Sequence, residues 1–185
     1  MLISKEDNQK GQLMVEAMVA ISLLLVGMMG TFGVLSQSLG LSRLTVDQYI
    51  ATNLASEGIE VVKNVIDAEY VSQKTFSNLL VSANDKFCSV NYDEGLANCR
   101  STEPKLNKQN SRNFLIKQDN DGMYGSEGED TNFMRYVFIK FEDIDHDEYT
   151  DVIKVESRVF WVGRGGIDLD VVLADRFYNW RSAPL

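Results

Sequence analysis

The hydrophobic pattern changes character three times along the chain. Leu13–Leu35 reads LMVEAMVAISLLLVGMMGTFGVL, an apolar run whose one charge is Glu16. As a helix at ~1.5 Å per residue it would reach roughly 34 Å, enough to cross a hydrocarbon core of ~30 Å. It is longer than the ~7–15 apolar residues of a secretory signal, and no Ala-x-Ala site closes it. From Val46 the pattern is amphipathic: Val46, Ile50, Leu54, Gly58, Val61 and Val65 recur at helical spacing, with Asp47, Asn53, Glu57, Glu60 and Lys63 mostly off that stripe. No proline interrupts the segment, so one helix is expected from about Leu13 to Asp67, ~80 Å long. Its outer half needs a packing partner.

Beyond Ala68 the period shifts. Residues 77–112 are polar and irregular, and Phe114–Lys117 suits a short strand followed by an Asp119-Asn-Asp-Gly122 turn. Three period-two segments follow: one with Val137, Ile139 and Phe141 on a face, one with Ile153, Val155, Ser157, Val159 and Trp161, and one with Ile167, Leu169, Val171 and Leu173 after Gly163-Arg-Gly-Gly166. Antiparallel strands joined by short turns can curl over the helix and bury its stripe. The expectation is an α+β fold: a long N-terminal helix, membrane-spanning in its first half, packed against a small antiparallel β-sheet.

Composition narrows the function. With 18 Lys+Arg against 27 Asp+Glu the net charge is −9. Setting aside Lys5, Lys10, Glu6, Asp7 and Glu16 leaves eight excess carboxylates from Ser36 onward. That balance disfavours general affinity for nucleic acid, which needs clustered cations. One histidine and two cysteines leave little for a zinc centre or a nucleophilic triad, and no glycine-rich phosphate loop is present, so no enzyme activity is expected.

Cys88 and Cys99 would form a disulfide if the domain faces an oxidising compartment, closing a short loop worth roughly 2–3 kcal/mol. Glu142, Asp143, Asp145, Asp147, Glu148 and Asp151 crowd one loop around His146. Oxygen ligands at Asp143, Asp145, Asp147 and Asp151 are calcium candidates. The glycine and glutamate of an EF-hand are missing from the sixth and twelfth positions, where Glu148 and Lys154 stand, so a solvated acidic turn is the default. No other cofactor is expected.

Lys10-Gly11-Gln12-Leu13-Met14-Val15-Glu16, ahead of an apolar run and behind a short polar leader with Lys5 and Lys10, resembles the type III signal of the type IV prepilin family. That family comprises the subunits of type IV pili and of related secretion and competence pseudopili. The resemblance implies a leader of residues 1–11, a helix of 12–67 with its transmembrane part at about 13–35, and an extracytoplasmic globular domain of 68–185. It implies cleavage by a prepilin peptidase between Gly11 and Gln12, N-methylation of Gln12, and assembly through Glu16. The expected partners are other pilin or pseudopilin subunits and the inner-membrane assembly machinery. The N-terminus would lie inside, held by the two lysines, with the domain carried outward on a surface or periplasm-spanning filament. Gln12 departs from the family's usual phenylalanine; it is expected to remain an open methylated amine, which a pyroglutamyl N-terminus by mass spectrometry would refute. Gly27, Gly30 and Gly33 suit either close helix packing or local loss of helicity. A single-pass membrane protein with an acidic, calcium-binding ectodomain is the alternative, which alanine at Glu16 would distinguish.

Overall fold

The computed structural model describes residues 6–76, 80–104, 112–146, 149–163 and 165–179. They form an α+β fold in two units, Met1–Thr45 and Val46–Leu185. One helix, α1 (Glu6–Val71), supplies residues to both. It starts earlier and ends later than the apolar pattern alone suggests, because Glu6–Lys10 and Ala68–Val71 contain neither proline nor glycine to stop it.

In the second unit α1 packs on a curled antiparallel sheet of seven strands: β1 (Lys86–Asn91), β2 (Gly95–Arg100), β3 (Leu115–Gln118), β4 (Tyr124–Gly125), β5 (Glu129–Glu142), β6 (Val152–Val162) and β7 (Asp168–Tyr178). The long strand β5 is the hub. One of its edges pairs with β1 and β3 at different heights; the other pairs with β6 without interruption from Phe133↔Trp161 to Glu142↔Val152. β7 then pairs with β6 along its whole length. The last three strands follow the period-two reading. Residues 77–112 correct it, since that polar stretch contains the β1–β2 hairpin. Ile167 is another correction: it sits exposed in the β6–β7 turn, and the strand starts at Asp168.

The buried face of α1 is rotated from the sequence stripe. Ala51, Leu54, Ala55, Val61, Val62 and Ile66 are buried, while Val46 is 53% exposed and Val65 is half-buried. Alanines at 51 and 55 score weakly as apolar positions, yet their small size lets the sheet come close. The core has two parts. Val61, Val62 and Ile66 meet Cys88, Val90, Val137, Ile139, Ile153 and Val155, whereas Ala51, Leu54 and Ala55 meet Ile116, Phe133, Val159 and Trp161.

Between the parts lies a polar belt opposite Gly58. A Cβ there would stand 2.5 Å from Ser157 Oγ, so any side chain at 58 would force Ser157 to move. Arg135, 2% exposed, fills the belt. Its Nη1 donates to Leu54 O of the helix at 2.7 Å, and its Nε and Nη2 both donate to Val90 O of β1, at 3.0 and 2.7 Å. Nη2 also reaches Glu57 Oε1 at 3.2 Å. One side chain thereby ties helix, β1 and β5 together. Burial pulls the guanidinium pKa down, and the Glu57 carboxylate opposes that shift.

Candidate functional site

Within the first unit, Leu13, Met14, Val15, Met18, Val19, Ile21, Leu23–Val26, Met28, Met29, Phe32, Val34 and Leu35 are all at least half exposed. α1 is long and apolar enough over this stretch to cross a membrane, and none of that apolar window is covered by the described residues. A soluble helix so uniformly apolar would be buried on several sides. Glu16 is exposed among these side chains, one turn beyond Gln12 on the same helix face. Gly11 is itself helical, within the first turns of α1. The helix is unbroken through Gly27, Gly30 and Gly33, and apart from the adjoining helix backbone a Cβ at any of the three would meet open space.

The second unit carries the remaining sequence candidates. Cys88 and Cys99 are joined as a disulfide across the β1–β2 hairpin, with Cys88 fully buried and Cys99 exposed. The bridge spans an irregularity in the pairing between Phe87 and Ser89, where Asn98 takes a positive φ of 50°. At the turn of the same hairpin, Asp93 fastens it to the segment before β5. Its Oδ2 accepts the backbone N–H of Ser126 at 3.2 Å and also the Ser126 hydroxyl. Partial burial would raise the Asp93 pKa, but these bonds and those from the local backbone together carry it below the ordinary carboxylate value.

In the β5–β6 turn, one ligand-type oxygen from each of Asp143, Asp145 and Asp151 lies within 4.8 Å of the others. Asp147 lies outside the described residues. The carboxylates are engaged in folding the turn: Asp151 Oδ2 accepts the backbone N–H of Ile144 at 2.7 Å, and Asp143 Oδ1 accepts that of His146, also at 2.7 Å. His146 has φ 62° there and is exposed.

The outer face of the sheet carries a feature that alternation did not reveal. Tyr136, which alternates with Val137 and Ile139 along β5, is 3% exposed. Its ring meets Phe87, Phe114 and Phe160. Its hydroxyl donates to Glu103, which also accepts from Arg158 Nη1 at 3.1 Å, and Arg158 Nε lies 3.7 Å from Asp170. Burial first, and the hydrogen bond to Glu103 next, push the phenol pKa well above its usual value. The segment after β2 thus folds back over the sheet. The abundance of aromatics on both faces of β5 (Phe133, Tyr136, Phe138, Phe141) was the available signal.

Comparison with protein-family models, with curated proteins and with solved structures finds no match to this chain.

Proposed function

We propose that this chain is a type IV pilin-like structural subunit, a minor pilin or pseudopilin, which is cut after Gly11 and enters a filament through α1. The observation that carries the reading is the apolar half of α1, exposed from Leu13 to Leu35 with a single carboxylate at Glu16. In a membrane that charge costs on the order of 2.5–3.5 kcal/mol at mid-depth, less near an end, and calls for a partner. Cleavage after Gly11 makes one: a methylated amine at Gln12, still cationic near neutral pH. In a bundle of such helices each Glu16 pairs with the amine of a neighbouring copy. The pair sets one axial register, because displaced charges would be left alone in hydrocarbon.

The same reading places the leader in the cytoplasm, a prepilin peptidase and an assembly machine at the inner membrane, and the sheet unit outside the cell or across the periplasm. There the Cys88–Cys99 bridge suits an oxidising compartment. Chemistry is not assigned to the sheet unit; its role is display. The test is Glu16→Ala in the native host. Retained membrane insertion with loss of incorporation into filaments supports assembly through Glu16. Unchanged filaments, or a protein absent from filaments in both forms, would favour the membrane-anchored module, for which the Asp143–Asp145–Asp151 trio is the observation in favour.

A further inference from the structure

Residues 95–104 form a strap at one side of the sheet unit. Its first part, β2, is an edge strand that pairs with β1 alone. Its second part turns back over the outer face of the sheet, where Glu103 accepts hydrogen bonds from the Tyr136 hydroxyl and from Arg158 Nη1. Between the two parts the Arg100 guanidinium rests on the Phe114 ring, 4.4 Å from its centroid. The Glu103–Arg158 pair is in contact with water on both sides, and an ion pair so exposed holds weakly.

β1, by contrast, is fixed in the core. It pairs with β5 through Lys86, Phe87 and Cys88, and Arg135 donates twice to Val90 O. The β1–β2 ladder is interrupted between Phe87 and Ser89, at the level of Cys88. There the strands are joined by the Cys88–Cys99 bridge, with help from the Ser89 hydroxyl, which donates to Ala97 O at 3.0 Å and accepts the Asn98 amide at 3.2 Å. The bridge thus couples a buried anchor to an exposed strap, and its two halves are unequal. Cys88 is packed in the core with Val90, Val137 and Ile139, whereas Cys99 faces solvent. The ladders β5–β6 and β6–β7 run without interruption and do not involve β2, so loosening the strap is a local event.

We propose that the bridge is a redox latch: a dithiol reductant opens it through Cys99 and frees the strap, uncovering Tyr136. The reductant's thiolate attacks Cys99 Sγ, on the side open to solvent; the Cys88–Cys99 bond breaks and a mixed disulfide forms at Cys99. The electron pair leaves on Cys88 Sγ, which takes up a proton because a thiolate in apolar surroundings is costly. The second thiol of the reductant then displaces Cys99, so the chain gains two electrons and two protons while the dithiol becomes a disulfide. Cys88 stays in the core as a small hydrophobe. β2 keeps its ladder to β1 but loses its cross-link, and Glu103 is left to hold the far end of the strap on Tyr136 and Arg158 alone.

The full chain in detergent micelles tests this by two readings. Glutathione, a monothiol, should give on acid quenching a mixed disulfide that peptide mass spectrometry maps to Cys99, with Cys88 recovered as the free thiol. Dithiothreitol should lower hydrogen-exchange protection across residues 95–100 tenfold or more and raise hydroxyl-radical labelling of Tyr136 severalfold, while protection across 152–162 stays within twofold. Cys88→Ala/Cys99→Ser should reproduce the reduced state without reductant, and dithiothreitol should change that variant no further. An adduct on Cys88, or a bridge that resists dithiothreitol in the folded chain, would overturn the proposal. Unchanged protection of 95–100 and unchanged labelling of Tyr136 after complete reduction would overturn it as well, and so would loss of protection across 152–162, which would make the bridge a staple for the whole unit.

Discussion

Replacing Arg135 by methionine removes a side chain that ties α1, β1 and β5 together, and the cost can be built from its contacts. The side chain is 1% exposed, so methionine refills most of the volume and the loss is polar. Val90 O loses both its side-chain donors, Nε at 3.0 Å and Nη2 at 2.7 Å, inside the core. An orphaned buried carbonyl costs about 1–3 kcal/mol. Leu54 O loses the 2.7 Å bond from Nη1 but belongs to the helical ladder, so about 0.5–1.5 kcal/mol is at stake. Glu57 is 31% exposed, and its half of the ion pair can return to water at a cost of about 0–1 kcal/mol. The sum, about 1.5–5.5 kcal/mol, corresponds to a fall in Tm of roughly 3–22 °C for a chain of this size. Near-UV circular dichroism of the full chain in detergent reads it, because the signal comes from the packed aromatics of the sheet unit. Arg135→Lys should recover little, since one ammonium cannot span Leu54 O and Val90 O as the planar fork does. Glu57→Gln should cost less than 1 kcal/mol. Wild-type melting for Arg135→Met, or full recovery by lysine, would refute the account of how the helix is held.

Other predictions test smaller parts of the fold. Asp93 has a folded pKa below its unfolded value, so its contribution to stability is fully present above the unfolded value and is lost as pH falls through the folded one. Acid titration of stability should therefore flatten in Asp93→Asn relative to wild type, and an unchanged acid limb would count against the Ser126 anchor. Gly128→Ala should destabilise the β3–β5 junction well beyond Gly122→Ala. Both glycines have positive φ, a cost of about 1–2 kcal/mol for alanine, but only at 128 does the new methyl meet backbone, at 2.2 Å. Hydrogen exchange at Gln118 and Glu129 compares the two, with equal protection as the contrary result.

Much of this architecture was legible because apolar period is a direct consequence of one-sided burial. The uninterrupted run from Leu13 to Leu35 and the alternation through β5, β6 and β7 are of that kind. What escaped has physical reasons. Ala51 and Ala55 are fully buried against the sheet, but alanine carries too little apolar surface to mark a stripe, so the stripe was centred on larger neighbours such as Val46. The β1–β2 hairpin was hidden in a polar stretch because its stability comes from the Cys88–Cys99 bridge and from pairing with β5 rather than from alternation. Tyr136 lies on the face of β5 opposite Val137 and Ile139 and is nevertheless buried, because residues distant in sequence, Glu103 and Phe114, cover it. Arg135 broke the apolar face between Phe133 and Val137, which marks an inward cation, but its acceptors at Leu54 and Val90 are set by tertiary packing alone. The close approach of Gly128 to Gln118 is likewise set by tertiary packing.

The claim on which the functional reading rests is that a cationic terminus generated at Gln12 neutralises Glu16. Intact and N-terminal peptide mass spectrometry of the chain, extracted from the membranes of its native host, tests this most directly. The account predicts a polypeptide lacking residues 1–11 and beginning at an open Gln12 that carries a methyl group. A chain retaining its leader, or one whose Gln12 has closed to pyroglutamate, would contradict it.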